Sequence, residues 1–587
     1  MRPAGGRVGF FHGFSQKRNP IELQLLCFLA GFVKNGVLPP HMSTLEAVRG
    51  HVSAEWANHL FVNGEFVKPV DGATYDAVYP ATEEVFHTVP RGTAADVAAA
   101  VAGAQAAWDG GEGAWASMPA AERAEVVRRM AQIVRDNAGM LSEVESADTG
   151  KTLKDASIVV GGSAGEAMWW CDQGAVMDAE QDAPAERGAA VGGDPPASFK
   201  VVYRRDPVGV VGLISAWNYP INVAFRKVAP ALVAGNCAIL KPSEIAGISC
   251  MFLAKAAKEA GVPAGVFSVV TGDRDAGAAL ANSAAISMIS FTGSSATGTK
   301  IMQSCAPRLA QSMLELGGKS ALVVFPDVSV DDAVVTCMKG MLTNGGQICT
   351  AHTRLIIHRD IKEAVLGKLK EELEKLPFSR DPIAEDQQGD NAWGEHETLP
   401  GLVQAVASAS QRDKIASFLA AAQASGNSGT VLTGGGVPAG METGFFIQPT
   451  VFVEPEREAP VWQTEVFGPV LCVRSFGTEK EAAAEANSTA FGLASTVMSA
   501  DAAVCRRVAN KIRAGAVYAT ARGEGILAEF PNVQRGGYGC SGVGRELGLH
   551  GLYEYTELKS VNYTGFGDAA VDDGTRVTVG QGLHLAD

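Results

Sequence analysis

The stretch PVGVVGLISAWNYPINVAFRKVAPALVAGNCAILKPSE, residues 207–244, decides the fold. A β-rich apolar run at 208–215 is followed by a helical pattern at 221–234 and by a second apolar run at 237–241. Runs of this length and spacing predict a strand, a helix and a second strand. The order strand-helix-strand is typical of a parallel β-α-β unit.

The same alternation continues toward the C-terminus. A helical pattern at 247–260 precedes apolar runs at 266–271 and 286–292, which flank another helix. The pattern then repeats after the apolar run at 321–325. We therefore predict a mostly parallel sheet in one lobe and a second α/β lobe after it.

On the N-terminal side, the folded body is predicted to begin at Leu60. Residues 60–67, LFVNGEFV, hold two apolar runs around Asn63-Gly64, a strong signal for a hairpin with a type I′ turn. Helical periodicity at 94–108 and at 121–144 predicts two helices before the sheet.

Composition excludes several classes of protein. The 587 residues include 49 basic and 64 acidic side chains, a net charge of −15, with 47% hydrophobic residues. This is globular and acidic, which argues against a nucleic-acid binder. The ten cysteines show no paired spacing, so free thiols in a reducing compartment are expected. The apolar run at 23–33 is shorter than the ~20 residues of a membrane-spanning helix.

Residues 1–58 are predicted to lie outside the fold. Through Ile21 they carry four basic residues and no acid, and an apolar stretch and Pro39-Pro40 follow. An organelle transit segment, a signal peptide and an upstream extension of the reading frame ending at Met42 all fit this pattern. We also predict a long surface loop at 378–401 and a loosely ordered tail at 565–587.

The leading candidate for chemistry is Cys349, which ends the Gly-rich segment that starts at Asn344. A nucleophilic cysteine must be a thiolate, and backbone N–H groups in such a turn can converge on the sulfur or on a neighbouring oxyanion. For any single cysteine, a buried structural role is the ordinary expectation.

Two further side chains fit the same chemistry. Glu315, in the segment ELGGKS, could act as a general base if it is partly desolvated, although a solvated strand-end glutamate fits equally. Asn218, after a buried strand, could aim its amide at an oxyanion, or it could belong to an ordinary turn.

Strand ends also suggest a nucleotide site. The segment 291–298, FTGSSATG, lies between a predicted strand and a predicted helix, where open α/β sheets bind pyrophosphate. At another strand end, Lys241 and Glu244 could hold ribose hydroxyls. The GxGxxG pattern at 537–542 lacks a preceding β-α-β strand and is weak. No zinc-binding pattern is present in the sequence.

One alternative comes from another class of enzyme. Residues 161–165, GGSAG, match the nucleophile elbow of serine hydrolases, which would make Ser163 a nucleophile if residues 158–160 formed a strand.

Seven motifs, taken in order, resemble the aldehyde dehydrogenase superfamily from about Leu60 to Tyr563. They are WNYP at 217–220, KPSE at 241–244, FTGS at 291–294, ELGGK at 315–319, GQIC at 346–349, EVFGP at 465–469 and SGVGRELG at 541–548. GLIS at 212–215 and FTGSSATG at 291–298 look most like the plant-type betaine and amino-aldehyde dehydrogenases.

The resemblance implies a role for each matched residue. Cys349 would be the nucleophile, Glu315 the general base, and Asn218 with the Cys349 N–H the oxyanion hole, while Glu546 would relay protons. The residues implied for cofactor binding are Ser215, Trp217, Lys241, Ser243, Glu244, Gly293, Ser294, Leu316, Glu465 and Phe467. Since a carboxylate such as Glu244 repels a 2′-phosphate, NAD is expected rather than NADP.

Substrate residues depart from the branch pattern. In the betaine-type enzymes, the resemblance implies a box of aromatic side chains over the thiol. Tyr219 is retained here, but Arg226, Thr343 and Arg535 occupy positions where that box would have aromatic residues. Such a box suits a quaternary ammonium through cation–π attraction. Arg226 and Arg535 could instead receive a carboxylate, as in a semialdehyde acid, or they could pair with acids or face solvent.

The resemblance implies a three-part α/β fold. A Rossmann-like NAD-binding domain would span 59–192 and 209–317, a catalytic domain 318–551, and bridging strands 193–208 and 552–564 would drive dimer or tetramer assembly. A non-catalytic relative that only binds is the competing class. Neither a nucleic-acid nor a membrane partner is expected. The location would be cytoplasmic, or plastid or mitochondrial if 1–58 is a transit segment.

Overall fold

The computed structural model describes residues 44–179, 181–182, 199–383, 402–523, 525, 527 and 529–564. The predictions for 1–43, for most of the 378–401 loop and for the 565–587 tail lie outside these residues. Among the described helices, none is long and apolar enough to cross a membrane.

The described helices follow one another along the chain: α1 Leu45–Val52, α2 Glu55–Asn58, α3 Ala94–Trp108, α4 Ala120–Asp136, α5 Ala138–Thr149, α6 Leu153–Asp172, α7 Pro220–Val233, α8 Ile248–Ala260, α9 Arg274–Asn282, α10 Ser295–Cys305, α11 Val330–Leu342, α12 Lys362–Lys375, α13 Ala409–Ala424, α14 Pro460–Gln463, α15 Glu479–Ala486, α16 Ala502–Ala509 and α17 Gly548–Tyr553.

The described strands are β1 Leu60–Val62, β2 Glu65–Val67, β3 Thr74–Tyr79, β4 Glu84–Pro90, β5 Gln181–Asp182, β6 Phe199–Pro207, β7 Val210–Ile214, β8 Cys237–Lys241, β9 Phe267–Val269, β10 Met288–Thr292, β11 Gln311–Glu315, β12 Ser320–Val324, β13 His352–His358, β14 Thr430–Thr433, β15 Thr450–Val453, β16 Val470–Phe476, β17 Phe491–Gly492, β18 Ala494–Met498, β19 Ala516–Thr520, β20 Tyr538–Gly539, β21 Gly542–Val543 and β22 Thr556–Thr564.

The first large sheet has the order β2-β1-β9-β8-β7-β10-β11-β21, with β9, β8, β7, β10 and β11 parallel. From β7 the chain moves outward through β8 to β9 on one side, then returns to build β10 and β11 on the other. This reversal creates a crevice beyond the carboxyl ends of β7 and β10, the place where open α/β sheets bind ligands. Every residue of β7 and β8 is buried, as both faces are covered.

The second large sheet has the order β14-β15-β16-β13-β12-β18-β19 and belongs to the second lobe. The chain first passes from one lobe to the other over four residues, 316–319, between the end of β11 and the start of β12, and it returns to the first sheet at β21. The last residue of the first sheet in this segment, Glu315, therefore lies close to the boundary between the lobes.

A third sheet joins distant parts of the chain. β6 pairs antiparallel with β22 along its whole length, from Thr556 opposite Pro207 to Thr564 opposite Phe199, and β5 pairs with its other side. β6 and β22 fall within the predicted bridging segments, whose residues 193–198 lie outside the described chain, whereas β5 precedes them in the segment predicted for the NAD-binding domain.

The prediction that residues 1–58 stand outside the fold is wrong for 44–58. The Thr44 side chain caps α1 by accepting from the Ala47 N–H, and Val48 and Val52, four residues apart, are buried. Trp56 in α2 packs edge-on against Phe252, with ring centroids 5.3 Å apart. The apolar residues of this segment belong to the core of the first lobe.

Three local predictions have clear outcomes. The hairpin at 60–67 is present, and Asn63 and Gly64 have φ of 54° and 81°, as a type I′ turn requires. The single helix predicted at 121–144 is two helices, which meet at Asn137. The strand at 158–160 that the hydrolase alternative requires is not formed: residues 153–172 form α6, and the buried Ser163 hydroxyl donates to the Val160 carbonyl at 2.7 Å. A hydrolase elbow is thereby excluded.

Candidate active site

The nucleophile candidate lies in a tight turn. The residues before Cys349 form a short 3-10 turn in which Asn344, Gly345 and Gly346 all have positive φ. A Cβ on Gly346 would lie 2.4 Å from the carbonyl carbon of Gly468, so only glycine fits. Cys349 does not begin a helix; it follows this turn.

Exposure separates Cys349 from most other cysteines. Of the nine described, seven are buried, Cys349 is half-buried and Cys540 is exposed. The prior expectation of a buried structural residue therefore does not hold for Cys349.

The Cys349 sulfur is in contact with one cation. The Arg535 guanidinium places Nη2 3.4 Å from Cys349 Sγ and 3.3 Å from the Thr350 hydroxyl. Burial raises the pKa of the Cys349 thiol, and the positive charge of Arg535 is the largest influence that lowers it. Two effects therefore act in opposite directions on Cys349. Burial disfavours the thiolate, and the guanidinium in contact with the sulfur favours it.

Asn218 is held by the nucleophile loop itself. Its side-chain amide donates to the Gln347 carbonyl at 2.9 Å, and the Asn344 amide donates to the Asn218 carbonyl at 3.0 Å. A primary amide carries two N–H groups, so one donor of Asn218 remains for a ligand. Sequence reasoning assigned no role to Asn344 or Gln347, although both lie in the quoted Gly-rich segment.

A buried ion pair supports Asn218 from the other side. Lys151 Nζ donates to the Asn218 carbonyl at 2.9 Å and pairs with Glu145 at 3.1 Å, and both charged side chains are fully buried. Lys151 also lies over the ring of Tyr219, 4.7 Å from its centroid. No motif in the sequence pointed to this pair.

Glu315 is the last residue of β11 and is only 5% exposed. Its Oε1 has no hydrogen-bond partner among the described residues. Burial, and next the negative charge of Glu546, raise the pKa of Glu315 to about 7. A carboxyl group with that pKa can accept a proton near neutral pH.

Glu546 is anchored by a lysine that the sequence did not reveal. Lys227, fully buried in α7, pairs with the Glu546 carboxylate and donates to the Ser290 hydroxyl at 3.0 Å. The backbone of Glu546 exchanges two hydrogen bonds with that of Arg535, of 2.6 and 2.8 Å. Glu546 and Arg535 are therefore positioned together.

The predicted cofactor residues of the first lobe meet at the crevice described above. Ser215 and Trp217 follow β7, while Lys241, Ser243 and Glu244 end or follow β8, and the strands pair with Ile214 opposite Lys241. Lys241 Nζ lies 3.1 Å from Glu244 Oε2. Gly293 and Ser294 follow β10, and the Ser294 hydroxyl caps α10 by accepting from the Thr297 N–H at 3.3 Å.

The predicted residues of the second lobe close this crevice. Glu465 accepts from the Gly318 N–H at 2.8 Å, and a Cβ on Gly317 would lie 2.2 Å from its other oxygen. Burial raises the pKa of Glu465 to about 7. Phe467, with φ of 61°, meets the ring of Trp217 edge-on at 5.3 Å.

The crevice fits a dinucleotide. It lies at the reversal of strand order and opens on the N-terminus of the 11-residue helix α10, whose first N–H groups suit a pyrophosphate. Thr292 Oγ1, buried at the end of β10, has no partner among the described residues. Leu316 lines the same region. Its side chain packs against Gly298, on which an added Cβ would lie 2.7 Å from the Leu316 side chain.

One predicted substrate residue is already occupied. Arg226 donates to both oxygens of Glu166, at 3.1 and 2.8 Å, and also pairs with Glu529. Arg226 is only 7% exposed and Glu166 9%. The prediction that Arg226 receives a substrate carboxylate is therefore wrong, because protein carboxylates already surround it. Arg535 shares Glu529 with Arg226 but also reaches the Cys349 sulfur. The described residues contain no cluster of His, Cys, Asp or Glu that could hold a metal ion.

Comparison with known proteins identifies the family. The model of the aldehyde dehydrogenase family matches residues 66–561. The chain is 39% identical over 504 residues to peroxisomal aminoaldehyde dehydrogenase 2 of Pisum sativum, covering 86% of this chain and 95% of the relative. It is 36% identical over 508 residues to chloroplastic betaine aldehyde dehydrogenase of Amaranthus hypochondriacus, covering 86% and 96%.

Similar solved structures are also aldehyde dehydrogenases. The betaine aldehyde dehydrogenase of Staphylococcus aureus in complex with NAD⁺ has a TM-score of 0.79 at 30% identity, over 89% of this chain and 97% of that one. The NAD⁺ complex of the aldehyde dehydrogenase of Bacillus cereus also has a TM-score of 0.79 at 30% identity, over 89% and 100%. The predicted fold class and enzyme class are confirmed. The chain belongs to the aldehyde dehydrogenase family.

Proposed function

We propose that the chain oxidises an aldehyde to a carboxylic acid with NAD⁺, through a thioester on Cys349. One observation carries this proposal: Asn218 is hydrogen-bonded to the loop of Cys349, and the charges of Arg535 and Arg226 act on both Cys349 and Glu315. The prediction of NAD as cofactor agrees with the two NAD⁺-bound neighbours.

In the first step the Cys349 thiolate adds to the aldehyde carbon. The carbonyl oxygen becomes an oxyanion, which accepts hydrogen bonds from the free amide hydrogen of Asn218 and from the Cys349 N–H. Donors placed in advance stabilise this charge without reorganisation of solvent. NAD⁺ supplies the acceptor for the hydride that leaves the resulting thiohemiacetal.

In the second step Glu315 takes a proton from a water molecule, which attacks the thioester and releases the acid and the Cys349 thiolate. Its raised pKa makes Glu315 a stronger base than an exposed carboxylate would be. Glu546, fixed by Lys227, is proposed to carry that proton away from Glu315. The negative charge of Glu546, which raises the pKa of Glu315, supports this pairing.

The residues proposed to hold NAD are those at the crevice: Ser215, Trp217, Lys241, Ser243, Glu244, Gly293, Ser294, Leu316, Glu465 and Phe467. The exposed carboxylate of Glu244 favours ribose hydroxyls over a 2′-phosphate, and hence NAD over NADP.

For the substrate, we propose a short aldehyde with a terminal carboxylate that pairs with Arg535. Hydrogen bonds of about 3 Å from Arg535 Nη2, which lies 3.4 Å from Cys349 Sγ, limit the carboxylate to about 6 Å from the sulfur. A four-carbon semialdehyde acid spans that distance. The second candidate is an amino-aldehyde or betaine aldehyde, favoured by the names of the plant relatives, by Tyr219 and by the Glu529 carboxylate.

The test measures NADH absorbance with succinic semialdehyde, betaine aldehyde and an amino-aldehyde at matched concentrations. We expect turnover with at least one of them and a higher kcat/KM for the semialdehyde. A clear preference for betaine aldehyde would contradict the carboxylate proposal. Absence of NADH formation with all aldehydes, in a chain that binds NAD⁺, would favour the non-catalytic alternative.

Assembly and location are also proposals. We propose that the sheet of β6 and β22 mediates a homodimer or homotetramer through the outer edge of β22, which has no neighbour among the described strands. Light scattering coupled to size exclusion tests this. The relatives are named peroxisomal or chloroplastic. Since α1 belongs to the core, we propose that any targeting function lies in residues 1–43.

A further inference from the structure

Arg535 combines two contacts that no motif of the chain assigns. Its Nη2 lies 3.4 Å from Cys349 Sγ, and its guanidinium also pairs with the Glu529 carboxylate. The two backbone hydrogen bonds with Glu546 fix the residue at its Cα, so the side chain reaches the sulfur from an anchored position. Arg535 thus stands between a thiol and a carboxylate that compete for its donors.

The other charges near Cys349 do not replace this cation. Arg226 is bound by Glu166 and Glu529. The remaining charges that act on the thiol are the carboxylates of Glu315 and Glu465, and both disfavour a thiolate.

The two lysines packed around the site each pair with a carboxylate. Lys227 pairs with Glu546, and Lys151 pairs with Glu145 while it lies over Tyr219. Among the described cations, Arg535 is therefore the one in hydrogen-bond contact with the sulfur.

We propose that Arg535 is a catalytic residue that stabilises the Cys349 thiolate by a direct charge-assisted hydrogen bond, and that Glu529 limits this effect by sharing the guanidinium. The inference rests on the proposed role of Cys349 as nucleophile. In a desolvated site a bonded cation favours the charged form of its partner more strongly than at a surface. An aromatic side chain at position 535 would supply no such charge.

The experiment measures alkylation of Cys349 by iodoacetamide as a function of pH, with no aldehyde present. The thiolate displaces iodide and forms a thioether, so the midpoint of the rate profile reports the pKa of the thiol. Tryptic peptide 340–354 contains Cys349 and no other cysteine, which lets mass spectrometry follow this sulfur alone. The variants are R535M, R535K and E529Q, each checked for folding by circular dichroism.

The chain offers a matched control pair. Arg507 and Glu479 form a bidentate ion pair, at 3.0 and 2.7 Å, between half-exposed side chains of α15 and α16. R507M and E479Q therefore remove the same charges from a place that does not contact the thiol, and both should leave the midpoint unchanged.

We expect R535M to raise the midpoint by about one pH unit or more, R535K to raise it less, and E529Q to lower it. A shift below about 0.3 unit in folded R535M would overturn the proposal. If R535M does not fold, E529Q decides, and an unchanged or raised midpoint overturns it. Because no aldehyde is involved, this result is independent of whether any aldehyde is oxidised.

Discussion

The Asn218 side-chain amide donates to the carbonyl oxygen of Gln347, two residues before Cys349, at 2.9 Å. The proposed oxyanion donor of the first lobe is therefore fixed to the loop that holds the proposed nucleophile. Asn344 and Lys151 both donate to the Asn218 carbonyl, so the residue is bound at both its backbone and its side chain.

Replacing Asn218 by alanine should lower kcat by about 10²–10³, the usual loss for one oxyanion donor. Initial rates of NADH formation measure this, with circular dichroism as the control for folding, since the amide also supports the loop. A variant that turns over at the wild-type rate would remove Asn218 from the mechanism.

Replacing Cys349 by alanine should abolish oxidation while NAD⁺ binding persists. The reason is that the sulfur is the proposed nucleophile and is not among the residues proposed to hold NAD at the crevice beyond β7 and β10. NADH formation and quenching of tryptophan fluorescence by NAD⁺ are the two measurements. Residual activity within about tenfold of wild type would indicate a different nucleophile, and the exposed Cys540 would be examined next.

The pH profile of thioester hydrolysis should fall as the pH drops through about 7. Glu315 has a pKa of about 7, so it is an ionised base above that pH and a protonated, inactive acid below it. Single-turnover release of acid from the acylated enzyme isolates this step. Glu315→Gln should lose this limb of the profile; a Glu315→Gln profile that keeps the limb would assign it to another group.

A chain that lacks residues 1–58 should have a free energy of unfolding lower by several kcal/mol than a chain that lacks only 1–43. The longer truncation deletes the buried side chains of Val48, Val52 and Trp56, each worth about 1.5–3 kcal/mol. Denaturant unfolding of the two truncated chains compares them directly. Equal stability would mean that α1 and α2 contribute nothing to the core.

Arg226→Met should destabilise the fold by about 3–5 kcal/mol, because it leaves Glu166 buried without its partner. The double variant that also carries Glu166→Met restores charge balance on this side and should recover part of the loss. The measurement is urea unfolding, together with KM for the best aldehyde. A large rise in KM without loss of stability would instead make Arg226 a substrate residue.

Local sequence patterns predicted much of the fold. The helix at 94–108 and the strand at 237–241 have the predicted bounds, because alternating apolar runs and a Thr93 cap define them locally. The break at Asn137 was missed, since Ala, Glu and Met continue the helical pattern on both sides of it.

The candidate site was predicted less completely. Positions that belong to local motifs, such as Cys349 after a Gly-rich segment and Glu315 at a strand end, were candidates from the sequence alone. The pairs that give the site its electrostatics do not, because their members are far apart in sequence: Arg226 lies 303 residues from Glu529, and Lys227 lies 319 residues from Glu546. Such pairs depend on how the two lobes meet, which no local pattern reports.

The burial of seven of the nine described cysteines determines how the protein should respond to oxidation by peroxide. Peroxide acts on accessible thiolates, so the inert sulfurs of the interior leave the architecture untouched. Among the nine described cysteines, damage would concentrate at positions 349 and 540. The oxidised protein would then lose its activity while it kept the melting temperature of the intact protein. Reduction of the sulfur of Cys349 alone would restore the activity.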